Sequence, residues 1–227
     1  MPKKIKAVIL AGGDMTVSEP LLELLRGGEL VIAADSGLRH AKALGLRPQV
    51  IVGDFDSLEP QDLQHYPNTP QQRFKPNKDE LDLELAINYA KAQAATDIIF
   101  MGATGGRLDQ SLAALFIAAK LQGEGVNVSL DSGKQRIYPL TAPATLELPW
   151  PNTILSLLSL SESSDVSLTG THYPLNHAIL PFGVGLGVSN VIDKEALLNL
   201  HQGQLLVILE YDKSQGMPWL YKDQKLV

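Results

Sequence analysis

The chain has 227 residues, of which 44% are hydrophobic and 19% are charged, a composition typical of a folded globular protein. At about 150 residues per domain, this length predicts one or two domains. The 25 acidic and 19 basic side chains give a net charge of −6, which argues against a broad cationic surface for nucleic acid. No cysteine is present, so disulfides, thiolate metal sites and a cysteine nucleophile are excluded.

The apolar runs are too short to span a membrane. The longest of them, such as 6–11 and 205–209, are far below the length of about 18 residues that crosses a bilayer. The polar start of the chain, MPKK, is not followed by a signal-peptide core. We therefore expect a cytoplasmic protein with no membrane partner.

The first part of the chain alternates short apolar runs with amphipathic stretches. The apolar runs predict buried strands at 7–11, 30–34, 50–52 and 98–101. Leucine and alanine at spacings of three and four predict helices at 21–25, 38–44, 83–94 and 108–121. This alternation predicts a doubly wound, mostly parallel, Rossmann-like α/β sheet over residues 1–132, with ligands at the carboxyl ends of its strands.

The sequence pattern changes after about residue 132. Glycine, proline, serine and threonine separate short apolar runs, which predict strands at 145–148, 154–160, 166–168 and 204–209. A short helix is predicted within 191–200, with Asp193 as its N-cap. Residues 133–227 are thus predicted to form an all-β domain, a small sandwich or barrel, whose tail from 214 to 227 is either docked or partly disordered.

Carboxylates follow several of the predicted strands. Asp35 follows the second strand, in AADSG, and Asp54 and Asp56 follow the third, in GDFDS. Asp79 and Asp82, in KDELD, lie on one face of a helix near its positive end. Crowded carboxylates repel one another unless a cation neutralises them, and their oxygens suit a Mg²⁺ ion that also holds a substrate phosphate.

Each of these aspartates also has a purely structural alternative. Aspartate after a strand is commonly a helix N-cap or an Asx-turn residue, and Asp79 fits such a role, or an outer position, better than direct ligation. Capping alone does not readily explain two doubled sites together with Asp35. The set therefore predicts a magnesium site.

Two glycine-rich loops supply the complementary half of a phosphate site. Gly12 and Gly13 follow the first strand, while Gly105 and Gly106 precede a helix in GATGGRLDQ. Glycines allow backbone N–H groups to approach phosphate oxygens, and a helix start adds positive partial charge. The loops match neither a P-loop nor a dinucleotide fingerprint. With the carboxylates, they predict a nucleoside triphosphate bound through a metal.

Cationic side chains near these loops are candidates for phosphate contacts. Arg107 begins the helix after the second glycine loop, and Lys75 and Lys78 precede the KDELD aspartates. A guanidinium can fork onto phosphate oxygens, whereas a lysine adds a point charge.

Covalent catalysis is not indicated. Ser36 and Ser57 have no histidine close in sequence, and the five histidines lie outside the acidic and glycine motifs, so His40 and His65 are predicted to be surface residues. In-line phosphate transfer by positioning and charge stabilisation is the chemistry that remains.

The ordered motifs resemble those of the thiamin pyrophosphokinases. They are AADSG at 33–37, GDFDS at 53–57, KDELD at 78–82, GATGGRLDQ at 102–110, GTHYPL at 170–175 and GVSN at 187–190. The resemblance implies an α/β catalytic domain, a carboxyl-terminal β-sandwich, and a homodimer with active sites between subunits. It also implies Mg²⁺-dependent transfer of pyrophosphate from ATP to thiamine, giving thiamine diphosphate and AMP.

The resemblance further implies residue roles. Asp54, Asp56 and Asp82 bind the metal and carry the catalysis, and Asp56 or Asp82 accepts the hydroxyl proton. The ATP pocket takes Asp35, Lys78, Gly105, Gly106, Arg107 and Asp109. Ser189 and Asn190 hold the aminopyrimidine ring of thiamine, with an apolar contact near Tyr173 and Leu175.

The chain departs from the family pattern at four positions. The family usually has threonine at Leu81, histidine at Gln110 and asparagine at Ala114, on the nucleotide side, and glutamate at Val191, on the acceptor side. Two alternatives therefore stay open. The acceptor could be another heterocyclic alcohol, such as a hydroxymethylpterin, or the chain could be a thiamine-binding protein without turnover. VILAGGD at 8–14 also resembles the opening of sugar-nucleotide pyrophosphorylases, although MTVS follows it instead of their Arg-Leu pair and lysine.

Overall fold

The structure is a computed structural model that describes residues 4–25, 30–75 and 79–210. The α-helices in these ranges are α1 (Glu19–Leu25), α2 (Leu38–Ala43), α3 (Pro60–Gln64), α4 (Asp82–Ala92) and α5 (Leu108–Gly123). The first strands are β1 (Ile5–Leu10), β2 (Leu30–Ala34), β3 (Val50–Gly53), β4 (Gln71–Arg73), β5 (Ala95–Met101) and β6 (Asn127–Asp131). The later strands are β7 (Gln135–Thr141), β8 (Ala144–Leu148), β9 (Ile154–Ser159), β10 (Ser163–Thr171), β11 (Leu175–Pro181), β12 (Asn190–Gln202) and β13 (Gln204–Glu210).

The chain divides into two compact units. The first unit comprises Met1–Ala118 and Val126–Ser132. The second unit comprises Ala119–Gly125 and Gly133–Val227. None of the helices in the described ranges is long and apolar enough to cross a membrane.

The strands of the first unit pair in parallel, in the order β6–β5–β1–β2–β3–β4. β1 lies inside this sheet, where its Ala7 pairs with Leu30 on one side and Ile98 on the other. Strands covered on both faces need continuous apolar runs, and every residue of β2 and β3 is buried. β4 ends the paired order, and all three of its residues are exposed, as its polar sequence QQR allows.

Helix α4 contributes a compact apolar stripe to the first unit. The side chains of Leu83, Ala86, Ile87 and Ala90 recur at helical spacing and are buried, and the helix packs against β2. A 3₁₀ turn, Asp35–Gly37, connects β2 to α2. These elements fix the starting points of the loops at the carboxyl edge of the sheet.

The second unit is built from antiparallel pairs. One set runs β7–β13–β9 and continues to the start of β12, and the other runs β11–β10–β12–β8. One buried leucine-rich cluster takes side chains from both sets, including Leu140, Leu157 and Val207 from the first and Leu148 and Leu168 from the second. The long strand β12 therefore connects two sheets that share a core.

The helix predicted within 191–200 is wrong. This stretch is part of strand β12, in which Ile192, Ala196, Leu198 and Leu200 are buried. The three exposed residues from Asp193 to Glu195 interrupt the strict alternation of a strand, and the resulting pattern resembles an amphipathic helix. Asp193 caps no helix and instead lies 3.3 Å from Nδ1 of His172.

The remaining predicted strands and helices of the described chain are confirmed with shifts of a few residues at their ends. Sequence patterns missed the elements that are short, polar or broken by turns: β4, β6, β7, β11 and α3. The tail from 214 to 227 lies outside the described residues.

Candidate active site

Three carboxylates from three separate segments meet in the first unit. One carboxylate oxygen from each of Asp35, Asp54 and Asp82 lies within 4.8 Å of the other two. We name this set the three-carboxylate cluster. Asp35 follows β2, Asp54 follows β3 and Asp82 is the first residue of α4. The parallel sheet brings its strand ends to one edge, which is why residues so far apart in sequence converge there.

Asp35 is the most enclosed member of the cluster, with only 8% of its surface exposed. Its backbone is left-handed, with φ of 44°, at the first position of the 3₁₀ turn. One side-chain oxygen, Oδ2, accepts a hydrogen bond from the hydroxyl of Ser57. The other, Oδ1, is buried and accepts no hydrogen bond from any residue in the described part of the chain. A buried carboxylate oxygen without a donor is costly unless a cation or water satisfies it.

The backbone beside Asp35 has no room for a side chain at Gly53. A Cβ atom there would lie 3.0 Å from the Cβ of Asp35. Glycine in GDFDS therefore allows the ends of β2 and β3 to approach each other closely. This close approach places Asp35 and Asp54 in one cluster.

In the loop after β3, a buried phenylalanine lies between two aspartates. Phe55 has φ of 67° and is buried, and the guanidinium carbon of Arg73 lies 4.9 Å from the centre of its ring. The neighbouring carboxylates are half-buried at Asp54 and exposed at Asp56. Oδ1 of Asp54 accepts the backbone N–H of Asp56 at 3.1 Å, which tightens the loop.

Asp82 owes its position to the start of α4. Backbone N–H of Leu81, the N-cap residue, donates to the Glu84 side chain at 2.9 Å and fixes the first turn. At the first helical position, a carboxylate is stabilised by the positive end of the helix dipole. Asp79, also in KDELD, lies before α4, so the prediction that it shares a helix face with Asp82 is wrong. It is exposed and is not one of the three carboxylates that the described residues bring together.

The negative charge of the cluster raises the pKa of the neighbouring Asp56 carboxyl. The charge of Asp54 is the largest cause of a raised pKa at the Asp56 carboxyl, followed by desolvation, a hydrogen bond with Asp54, and the charges of Asp35 and Asp82. The sequence predicted Asp54, Asp56 and Asp82 as the metal-binding set. In the structure, the third member of the cluster is Asp35, and Asp56 lies beside it. Which of the four touches a metal stays a prediction.

The donor set fits a hard divalent cation. Three carboxylates supply only oxygen ligands, which Mg²⁺ prefers, and the unsatisfied Oδ1 of Asp35 is an oxygen that such an ion would satisfy. Mg²⁺ usually keeps several waters and takes its remaining ligands from substrate phosphates. The residues present therefore fit this ion.

The glycine loops lie where the strand order reverses. From β1 the chain steps through β2, β3 and β4 on one side and then returns to β5 on the other side of β1. In open α/β sheets, ligands bind beside the loops that follow the strands on either side of such a switch point, which here are the loops after β1 and β5. These are the two loops that carry the glycine motifs.

Hydrogen bonds join the two glycine loops to each other. Gly13 N–H donates to the carbonyl of Gly102 at 2.6 Å, and Asp14 N–H donates to the carbonyl of Thr104 at 3.0 Å. A Cβ on Gly12 would overlap the side chain of Ser36, so the first loop also contacts the turn that carries Asp35. The glycine loops and the three-carboxylate cluster are thus parts of one contiguous site.

His40 belongs to this site, and its prediction as a surface residue is wrong. It is half-buried in α2, and its Nε2 lies 2.8 Å from the carbonyl of Gly13. Because a carbonyl oxygen only accepts, Nε2 carries the hydrogen and donates it. The ring also lies against Gly102, whose added Cβ would be 3.0 Å from Nε2. No local motif could reveal this contact, because the two partners are 27 residues apart.

Arg107 and Asp109 form an exposed pair at the start of α5. The guanidinium donates to the two Asp109 oxygens at 2.5 and 3.1 Å. This contact raises the pKa of Arg107 and lowers the pKa of Asp109. Lys75 is exposed, whereas the predicted phosphate contact Lys78 lies outside the described residues.

The two predicted thiamine-binding residues lie in the second unit and differ in character. Ser189 is exposed, with φ of 62°, and its N–H donates to the Ser156 hydroxyl at 3.1 Å. Asn190 is buried, and its Oδ1 accepts the N–H groups of Tyr173 and Val191 at 3.1 and 2.9 Å. Its Nδ2 donates to the Tyr173 carbonyl and to the Thr171 hydroxyl, at 2.8 and 3.3 Å. Its amide is therefore fully engaged within the unit.

The four departures from the family pattern fall in different environments. Ala114 is 1% exposed, so this departure affects packing rather than the surface of the site. Gln110 is exposed in the first turn of α5, and Leu81 is 39% exposed at the N-cap of α4. Val191 is half-buried beside Asn190.

Comparisons with known proteins match both units. The family model described as "Thiamin pyrophosphokinase, catalytic domain" matches residues 21–140, and "Thiamin pyrophosphokinase, vitamin B1 binding domain" matches residues 145–203. Thiamine pyrophosphokinase of Bacillus subtilis is 27% identical over 210 residues, which cover 90% of this chain and 98% of that protein.

Solved structures agree with these matches. The crystal structure of thiamine pyrophosphokinase from Bacillus subtilis superposes with a TM-score of 0.80 at 26% identity, covering 91% of this chain and 99% of that one. A thiamin pyrophosphokinase family protein from Enterococcus faecalis gives a TM-score of 0.75 at 26% identity, covering 93% of this chain and 100% of that one.

Proposed function

The chain belongs to the thiamin pyrophosphokinase family, and we infer from this that it transfers the pyrophosphate group of ATP to the hydroxyl of thiamine, giving thiamine diphosphate and AMP. The observation that carries the inference is the three-carboxylate cluster beside two joined glycine loops at a switch point of a parallel sheet. Oxygen ligands for a cation and backbone N–H groups for phosphates are what such a transfer requires.

We assign the metal to the three-carboxylate cluster. Asp35, Asp54 and Asp82 hold Mg²⁺, and Oδ1 of Asp35 is the oxygen that gains most because no donor from the described residues satisfies it. When bound, Mg²⁺ supplies positive charge to the phosphate oxygens of ATP. Asp56, which was predicted to be a ligand, lies beside the cluster and acts on the acceptor side.

The glycine loops hold the phosphates. Gly105 and Gly106 have φ of 86° and 66°, a left-handed backbone that glycine adopts readily and that is typical of anion-binding loops. Arg107 exchanges its contact with Asp109 for phosphate oxygens when ATP binds, since both side chains are mostly exposed and free to move. His40 holds the first loop in place through Gly13. Lys78 remains a predicted phosphate contact.

The transfer is an in-line displacement at the β-phosphorus. The thiamine hydroxyl oxygen forms a bond to this phosphorus as the bond to the α-phosphate oxygen breaks, and AMP leaves with that oxygen. The hydroxyl proton passes to Asp56, which is exposed and lies outside the three-carboxylate cluster, rather than to Asp82, which belongs to it. The negative field of these acids also attracts thiamine, which is a cation.

For thiamine itself, Ser189 contacts the aminopyrimidine ring, and Asn190 supports that contact by holding Tyr173 and Val191. The saturated amide of Asn190 favours this supporting role over a direct contact. We also propose a homodimer with active sites between subunits, as the family resemblance implies.

The finer architecture is part of the same proposal. Residues 1–132 form a doubly wound catalytic domain, supported by the all-parallel pairing of the first unit. Residues 133–227 form a β-sandwich that binds thiamine and mediates dimerisation, supported by the core that its two antiparallel sheets share. A cytoplasmic location stays a prediction from the sequence.

One assay tests the proposed function. Purified protein with MgATP and thiamine is expected to produce AMP and thiamine diphosphate in equal amounts, measured by chromatography. ADP in place of AMP would contradict pyrophosphate transfer. Tight thiamine binding without nucleotide turnover would support the binding-protein alternative, and turnover only with a hydroxymethylpterin would support the other acceptor. The family match does not favour either alternative.

A further inference from the structure

A second cluster of potential metal ligands lies in the second unit, and the proposed function does not use it. One ring nitrogen from each of His177 and His201 and one carboxylate oxygen of Asp165 lie within 4.8 Å of one another. We name this set the histidine cluster. Its residues come from β11, β12 and β10, respectively.

Two β-bulges bring these side chains together. β10 is the middle strand, and its pairing with β11 shifts register between Val166 and Leu168, opposite His177. Its pairing with β12 shifts between Asp165 and Val166, where His201 is the extra residue of the partner strand. A bulge changes the direction of a side chain, and bulges are frequent next to functional sites. Here one bulge on each side of β10 presents a histidine towards the same acid.

The backbone of the first bulge is held by a neighbouring side chain. His177 has φ of 46°, a left-handed conformation that is uncommon outside glycine. Its N–H donates to the Ser167 hydroxyl at 3.2 Å, in place of the ladder bond that the bulge interrupts. The conformation of this residue is therefore fixed by specific contacts.

Both imidazole rings are oriented by polar partners. Nδ1 of His177 lies 3.1 and 3.2 Å from the two oxygens of Asp165, and Nε2 of His201 lies 2.9 Å from the Ser167 hydroxyl. The rings stack with centres 4.2 Å apart and planes inclined by 23°. The Ser167 hydroxyl is the kind of outer hydrogen-bonded partner that fixes the ring orientation of a metal-binding histidine, whereas Asp165 faces His177 as a second potential ligand.

We propose that the histidine cluster binds a divalent transition-metal ion of the Zn²⁺ type. Two imidazole nitrogens and one carboxylate oxygen, with water as the fourth ligand, form an open zinc site. Imidazole suits Zn²⁺, Ni²⁺ and Cu²⁺, whereas Mg²⁺ prefers oxygen alone. At bond lengths of about 2.0 Å, tetrahedral ligand atoms are about 3.3 Å apart. The side chain of His177 is 63% exposed, so small rotations can bring the three ligand atoms to this spacing.

The chain offers a matched control for this site. His172 also pairs with a carboxylate, since its Nδ1 lies 3.3 Å from Asp193, and its side chain is similarly exposed at 60%. Its pair contains one histidine rather than two, and no third ligand joins it among the clusters that the described residues form. A single imidazole and one carboxylate are expected to bind Zn²⁺ far more weakly than three ligands.

The test is a calorimetric titration of the full, tag-free chain with Zn²⁺, in millimolar Mg²⁺ so that the three-carboxylate cluster is occupied. One Zn²⁺ ion per chain is expected to bind. His201→Ala and His177→Asn are expected to weaken binding at least about 100-fold, since loss of an outer partner alone weakens metal affinity about 10–100-fold. Asparagine tolerates the left-handed backbone at 177, and His201→Ala tests the site independently.

Ser167→Ala removes the outer partner of His201 together with the acceptor of the His177 N–H, and is expected to weaken binding at least about tenfold. His172→Gln is expected to bind as the unchanged protein does. Imidazole nitrogen resonances of His177 and His201 should shift on addition of Zn²⁺, while those of His172 should not. Equal titrations for the unchanged protein and His201→Ala, or no bound Zn²⁺ at all, would overturn the proposal.

Discussion

The two clusters show two ways in which a sheet gathers ligands. The three-carboxylate cluster lies at the carboxyl edge of a parallel sheet, where consecutive strands deliver their following residues to one place. The histidine cluster lies on the face of an antiparallel sheet, where two bulges redirect side chains of neighbouring strands. The first arrangement gathers only carboxylate oxygens, which hard ions prefer, and the second adds imidazole nitrogens, which softer ions prefer.

This difference also decides what a sequence reveals. A strand followed by an acidic motif predicts a site at the carboxyl edge of a parallel sheet, because the residues of the motif are contiguous in sequence. A bulge has no comparable motif, because it depends on the register between strands. Substitutions in each unit therefore separate the effects of the parallel and the antiparallel sheet.

The largest effect is expected for Asp54→Asn. Loss of one cluster charge should lower the rate of AMP and thiamine diphosphate formation by about 1,000-fold, equivalent to about 4 kcal/mol of transition-state stabilisation. The fold should persist, since asparagine can still accept the Asp56 N–H and the mutual repulsion of the acids decreases.

Asp97→Asn is the control for this loss. Asp97 lies near the amino end of β5, away from the carboxyl edge, and its carboxylate binds Thr96 and Asn127. The turnover rate of the Asp97→Asn variant should stay within about twofold of that of the unchanged protein. Similar losses in both variants would mean that the cluster has no special role.

Next in size is the effect of filling the glycine loop. A Cβ on Gly105 would lie 2.6 Å from the Cβ of Asp14, whereas Gly106 has open space around it. Alanine in a left-handed conformation costs about 1–2 kcal/mol, and crowding at Gly105 adds about 1–3 kcal/mol. Denaturant unfolding should therefore show a loss of about 3 kcal/mol for Gly105→Ala and about 1–2 kcal/mol for Gly106→Ala. Equal losses would refute the close contact between the loops.

On the antiparallel side, Asn190→Ala should lower the free energy of unfolding by about 2 kcal/mol. The substitution removes the buried amide that accepts the N–H groups of Tyr173 and Val191 and donates to the Thr171 hydroxyl, itself buried. Ser189→Ala is the matched change at an exposed neighbour and should alter stability by less than about 0.5 kcal/mol while raising the KM for thiamine. A stability loss for Ser189→Ala as large as that for Asn190→Ala would contradict the proposal that Ser189 contacts thiamine while Asn190 stabilises the backbone around it.

The smallest effect concerns pH. The pKa of Asp56 is raised chiefly by the charge of Asp54, so the folded, metal-free protein holds this proton more tightly than the unfolded chain. Stability therefore falls as pH rises from the ordinary aspartate pKa of about 3.9 through the raised value. Asp56→Asn without metal should be more stable than the unchanged protein at neutral pH, and this advantage should vanish towards pH 4. A constant difference across that range in chelator-treated samples would show that repulsion is not its cause.

The sequence sufficed to predict much of the first unit. Buried apolar runs such as those of β2 and β3 are unambiguous, and aspartates directly after them had to meet at one edge. It did not distinguish Asp56 from Asp35 as the third member of the cluster, because that choice depends on the turn at Phe55. It also missed His40, whose contact with Gly13 depends on how α2 packs beside the first glycine loop.

The second unit was harder to predict because its strands bulge. The exposed segment 193–195 gave β12 the periodicity of a helix. His177 and His201 are far apart in sequence and meet only because β11 and β12 flank β10. Register is a property of pairs of strands, so a pattern within one strand cannot specify it.

The most direct test of the central claim is the position of a metal ion in crystals grown with Mn²⁺ as a heavier stand-in for Mg²⁺. We expect an anomalous-scattering peak at about 2.0–2.2 Å from carboxylate oxygens of Asp35, Asp54 and Asp82, with Oδ1 of Asp35 among them. A peak bound by other residues, with these three carboxylates turned away from one another, would contradict it.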